Sequence, residues 1–156
     1  MRSTRIGVRI RTGDVPAAFA RIADFGRFPA LAEDVREVTV GESGSSWVVN
    51  FRRGLMRWHE RDTVDVDALR IDFDQTDGDF AEFHGSWRLT PVLGGAAVLF
   101  DITYDFGIES MAGLMDPIAE RVIKRVVYAV LSGLFGDVTI TEGGEALADL
   151  NPGRAA

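Results

Sequence analysis

Arg57, His59 and Arg61 alternate along one stretch of this chain, so a β-strand there would set all three on one face. An imidazole between two guanidinium groups could move protons near neutral pH while the cations steady oxygens that gain negative charge. The opposite parity carries Met56, Trp58, Val64 and Val66, which would then need a bulge or a partner surface to cover them. A surface strand with Arg61 paired to Glu60, Asp62 or Asp65 accounts for the same residues. Burying an unpaired Arg costs several kcal/mol, so an inward Arg requires water or a carboxylate beside it. Large apolar side chains share faces nearby: Trp47, Val49 and Phe51 on one run, Phe83 and Trp87 on another, with His84 on the exposed parity. Two histidines without metal-ligand spacing, and no cysteine, make no ligand cluster. Gly41-Glu42-Ser43-Gly44 lacks the strand–turn–helix setting of a nucleophile elbow.

The elements that would position these groups are legible from periodicity. Residues 5–11 alternate as a first strand, with Ile6, Val8 and Ile10 on one face. Asp14 is a suitable N-cap before a short helix ending at Ala23, and Gly26 and Pro29 break it ahead of a second short helix at 30–34. Strands are expected near 36–41, 46–53, 55–66, 69–76, 80–90 and 97–106, separated by Gly and Asp turns. From Pro117 two adjacent ladders of spacing four, Ile118 to Leu134 and Ala119 to Phe135, define a wide apolar stripe on a long helix. Six to seven antiparallel strands curled around that helix make an α+β domain, expected to span 1–142, with a loose tail at 143–156. A sheet curved around one helix leaves a volume, expected to reach about a few hundred Å³, that side chains or a ligand must fill.

Composition narrows the function classes. The chain has 156 residues, 46% hydrophobic, 26% charged, with a net charge of −7. That balance suits one globular domain and opposes a nucleic-acid groove, which needs clustered cations. No apolar run reaches the roughly 18–20 residues of a membrane span, and the N-terminus lacks a signal-peptide stretch, so a cytoplasmic location is expected.

The run Asp77-Gly78-Asp79-Phe80, then Gly85-Ser86-Trp87-Arg88-Leu89, then the Gly94-Gly95 hairpin and a strand ending in Tyr104-Asp105-Phe106 resembles the polyketide cyclase/dehydrase family of the START-like superfamily. Ala23 to Pro29 looks like the family's break between its short helices, and the likeness covers most of residues 5–135. It implies a helix-grip fold with a cavity for a hydrophobic molecule. In the family's aromatase/cyclases an interior Arg on the strand before the Asp-Gly turn orients substrate carbonyls, and counting back without gaps places Arg61 there. The resemblance therefore implies an enzyme that binds a carrier-protein-tethered poly-β-ketone and directs aldol closure and dehydration. Arg61 and His59 would be catalytic, Arg57 a further contact, and Phe28, Trp47, Phe51, Phe83, Trp87 and Phe100 the substrate-binding wall. No cofactor is expected, because ring closure and water loss exchange no electrons. The family also contains quinone carriers and ribosome-association toxins, so a carrier of a quinone or lipid, or an interaction protein, is the alternative, as monomer or homodimer.

Overall fold

A computed structural model of the chain describes residues 1–52 and 54–150. Strand β1 (Arg2–Arg11) leads into α1 (Val15–Ala23), a 3-10 turn at Phe25–Arg27 and α2 (Phe28–Leu31). Six strands follow in succession: β2 (Val35–Gly41), β3 (Gly44–Asn50), β4 (Leu55–Asp65), β5 (Arg70–Gly78), β6 (Glu82–Val92) and β7 (Gly95–Asp105). Helix α3 (Glu109–Phe135) and a short strand β8 (Thr139–Glu142) complete the order. The strands form one antiparallel sheet in the order β2-β3-β4-β5-β6-β7-β1-β8. The expected meander is thus present, extended by β1 against β7 and by an eighth strand.

The local causes are those the sequence offers. Asp14 Oδ1 accepts the Ala17 N–H at 3.0 Å and caps α1. In β7 the residues facing the helix, Val98, Phe100, Ile102 and Tyr104, are all buried, the alternation of a sheet with one face wet. Ala119, Val122, Ile123, Val127, Val130 and Leu131 of α3 are buried too, so the apolar stripe lies on the sheet as its spacing requires. Tyr104 Oη donates to the Asp116 carbonyl at 2.7 Å and fastens the helix near its start.

Two expectations are corrected here. Helix α3 begins eight residues before Pro117, which lies inside it. Proline does favour a first helical turn, but here the helix continues through it, with burial of the surrounding turns holding the segment. Nor is the chain loose from Gly143: Gly144–Leu150 forms 3-10 turns either side of a kink at Leu147, a residue that is fully buried. The Gly143 carbonyl accepts from Lys124 Nζ at 2.8 Å. Lys124 also pairs with Glu120 at 2.8 Å, and Glu120 with Arg2 at 2.7 Å, a clasp joining β1, α3 and the segment after β8. The remainder of the expected tail, 151–156, lies outside the described residues.

Candidate functional site

Between α3 and the concave face of the sheet lies a cavity of about 60 Å³. Its walls come from the short helical segment (Phe25, Phe28), from β3 (Trp47, Val49), from β4 (Trp58, Glu60), from β5, β6 and β7 (Phe73, Phe83, Trp87, Phe100) and from α3 (Ile123, Val127). Phe51, just past β3, lines it as well. The six residues expected to form an apolar wall therefore do surround one space. That space is far smaller than the few hundred Å³ expected, because the rings fill it themselves. Trp47 and Trp58 stack with planes 3° apart and centroids at 5.8 Å. Phe83 closes on Trp58 at 4.5 Å, and Phe28 bridges Trp47 at 5.6 Å and Trp87 at 6.0 Å.

The motif glycines serve this wall. A Cβ at Gly78, whose φ is +153°, would sit 2.5 Å from Trp58 Cβ. One at Gly85 would collide with the Asp101 carbonyl and meet the Phe73 ring at 2.8 Å. Each glycine thus leaves the room that lets a cavity aromatic lie against the neighbouring strand. Gln75 pins the intervening turn by exchanging two hydrogen bonds with the Phe80 backbone, and Phe80 then supports Trp58 from beneath at 5.7 Å.

Arg57, His59 and Arg61 do not join the cavity, which corrects their expected place among the site residues: of the two facings the sequence left open, the strand takes the outward one. On β4 the buried parity is Trp58 and Glu60, while Arg57 and Arg61 are exposed. His59 bonds Ser46 at 2.8 Å on the outer face. The physical reason is the register of the hairpin, in which Trp47 stands opposite Trp58 and Ser45 opposite Glu60. Turning the arginines inward would have expelled that indole pair into water.

What this parity brings inside is a carboxyl the sequence reading left on the surface. Glu60 is 3% exposed and is the single ionisable residue among the described residues lining the cavity. Its Oε1 accepts the Trp58 indole N–H at 2.8 Å. Asp62, next on the same face, accepts from Ser45 Oγ at 2.5 Å, and Ser45 Oγ in turn accepts the Trp47 N–H at 2.8 Å. Asp62 Oδ1 is buried and receives no N–H or hydroxyl from the described residues. Two residues along the same face of β4 stands the Glu60 carboxyl. Burial pushes Glu60 well above the usual carboxylate range. The hydrogen bond to Asp62 and the Asp62 charge push the same way, against the opposing pull of the Trp58 N–H. The buried polar groups thus run Trp47–Ser45–Asp62 and Trp58–Glu60, with the two carboxyls neighbours on one face of β4. The available signal was the hairpin: pairing β3 with β4 around 51–54 sets Trp47 against Trp58 and carries Glu60 inward with it.

The chain matches the family described as polyketide cyclase / dehydrase and lipid transport over residues 14–131. No curated protein matches it. Solved structures share the fold. The TTHA0849 protein of Thermus thermophilus is 24% identical with a TM-score of 0.72, the alignment covering 96% of this chain and 100% of that one. The Zhui aromatase/cyclase of Streptomyces sp. R1128 is 16% identical with a TM-score of 0.66, covering 97% of each chain. A START superfamily protein of Mycobacterium smegmatis is 11% identical with a TM-score of 0.66, covering 84% of this chain and 94% of that one. No described helix is long and apolar enough to cross a membrane. The fold, the aromatic cavity beneath α3 and the sequence match agree: this chain belongs to the polyketide cyclase / dehydrase and lipid transport family.

Proposed function

We propose that this protein is a polyketide aromatase/cyclase, taking a carrier-tethered poly-β-ketone into the cavity beneath α3 and directing aldol closure and water loss. The observation that carries the reading is a cavity walled by aromatic rings with one carboxyl, Glu60, facing it. Rings bury the carbon chain, and a neutral carboxyl can hold an oxygen without adding charge. In the aldol step a bond forms between an α-carbon and a carbonyl carbon; the α-carbon loses a proton and the carbonyl oxygen becomes a hydroxyl. Elimination then removes that hydroxyl with a second α-proton as water. The roles first given to Arg61 and His59 pass to the inward parity, and Phe28, Trp47, Phe51, Phe83, Trp87 and Phe100 are the proposed substrate wall. A cavity of about 60 Å³ holds only a couple of waters at roughly 30 Å³ each, so rings must swing aside for a substrate.

One observation favours a second reading, a non-catalytic carrier of a hydrophobic small molecule: the expected catalytic cations face away from the cavity. A minimal polyketide synthase with its carrier protein, run with and without this protein, separates the two. A cyclase raises the share of one ring-closed product, and Val127→Trp, which fills the cavity, returns it to the unaided distribution. An unchanged distribution with the folded wild type overturns the enzyme reading.

A further inference from the structure

The two indole N–H groups and the hydroxyl of the buried polar chain are spent inward. The Trp58 N–H goes to Glu60 Oε1, the Trp47 N–H to Ser45 and the Ser45 hydroxyl to Asp62. What the network still offers the cavity is acceptor capacity: the free lone pairs of Glu60, a side chain 97% buried by its 3% exposure and facing the cavity beneath α3. Among the described residues no cation faces it there, since β3, β6, β7 and α3 present Trp47, Phe83, Phe100 and Val127 to the same space.

We propose that this cavity takes a neutral ligand bearing an aromatic or enolic hydroxyl, and that the ligand donates that hydroxyl to Glu60. A buried acceptor left without a donor is costly, so a hydroxyl is favoured over an ether or hydrocarbon of the same size. A carboxylate is refused, because it would bring a second negative charge beside Asp62 with nothing to neutralise it. The enol tautomer of a β-diketone and a phenolic product both fit, an ionised fatty acid does not. This inference rests on the cavity reading above and narrows it to one chemical class.

All three tryptophans of the chain line the cavity, so their indole N–H resonances report binding directly. Phenol, anisole and benzoate are the probes, titrated into the wild type and Glu60→Leu at neutral pH. The expected result is a phenol preference over anisole about tenfold larger in the wild type than in Glu60→Leu, with benzoate at least a hundredfold weaker than phenol in the wild type. Should Glu60→Leu fail to fold, the wild type alone still decides. The Trp58 Nε1–H shares its acceptor with the ligand, and it moves further with phenol than with anisole. Equal phenol-to-anisole ratios in the two proteins, equal Trp58 shifts, or benzoate binding as tight as phenol overturns the proposal while leaving the cavity reading intact. Indole resonances that move with none of the probes overturn the cavity reading itself.

Discussion

Replacing Glu60 by Gln tests the buried carboxyl through stability alone. The amide keeps the side chain's shape, accepts the Trp58 N–H as Oε1 now does, and can donate to Asp62, so it imitates the neutral acid at every pH. The Glu60 carboxyl is raised well above the usual range in the folded protein, whereas in the unfolded chain it titrates near about 4.3. A raised folded value means the folded state prefers the proton. The resulting stability is complete below the unfolded value and is lost as pH rises toward the folded one. Within that window the wild type loses up to about 1.4 kcal/mol per pH unit relative to Glu60→Gln. For a chain of 156 residues this is roughly 3–5 °C of melting temperature per pH unit. Urea unfolding of both proteins from pH 5 to 8, with the m-value held common, gives the difference directly, and the other titrating groups largely cancel. The expected difference declines steadily from pH 5. A flat difference across the range would refute the reasoning, since it would mean that Glu60 ionises as freely in the fold as outside it.

Further outcomes follow from the same geometry. Gly85→Ala forces a Cβ into the Asp101 carbonyl and is expected to destabilise by at least about 1–3 kcal/mol, read in chemical denaturation. Arg61→Ala and His59→Ala, on the outer face, are expected to leave phenol affinity within a factor of two by the indole titration. Leu147→Ala opens a fully buried site and should cost about 2–5 kcal/mol. A loss of less than about 0.5 kcal/mol there would show that the segment after β8 does not share in the fold.

The sequence carried the sheet and helix well because turns and one-sided burial leave strong marks. The alternation in β7 and the two ladders of α3 each follow from a single wet face. β8 escaped because four residues, Thr139–Glu142, are too few to display a period. The site failed at one strand for a different reason. Residues 56–62 carry charged or polar side chains on both parities, so hydropathy cannot choose between the two faces of β4. Counting back from Asp77-Gly78 crosses a turn and a bulge between His59 and Glu60, and neither transmits parity. What does transmit it is the pairing with β3, whose Trp47 and Val49 share one inner face with Phe51 just past the strand. The tryptophans chose the side, and Glu60 went in with them.

The place of β1 between β7 and β8 has a consequence for how the chain is made. Arg11 pairs with Gly95, 84 residues later, and Val8 with Ile140 later still. At about 5–20 residues per second of synthesis, Ile6, Val8 and Ile10 wait roughly 4–19 s before their first strand partners exist. Through that interval the emerging chain carries a β-forming apolar edge that any other strand could capture. The strand made first is among the last to be paired, a long-range closure that makes for slow folding and gives chaperones a defined stretch of nascent chain to shield.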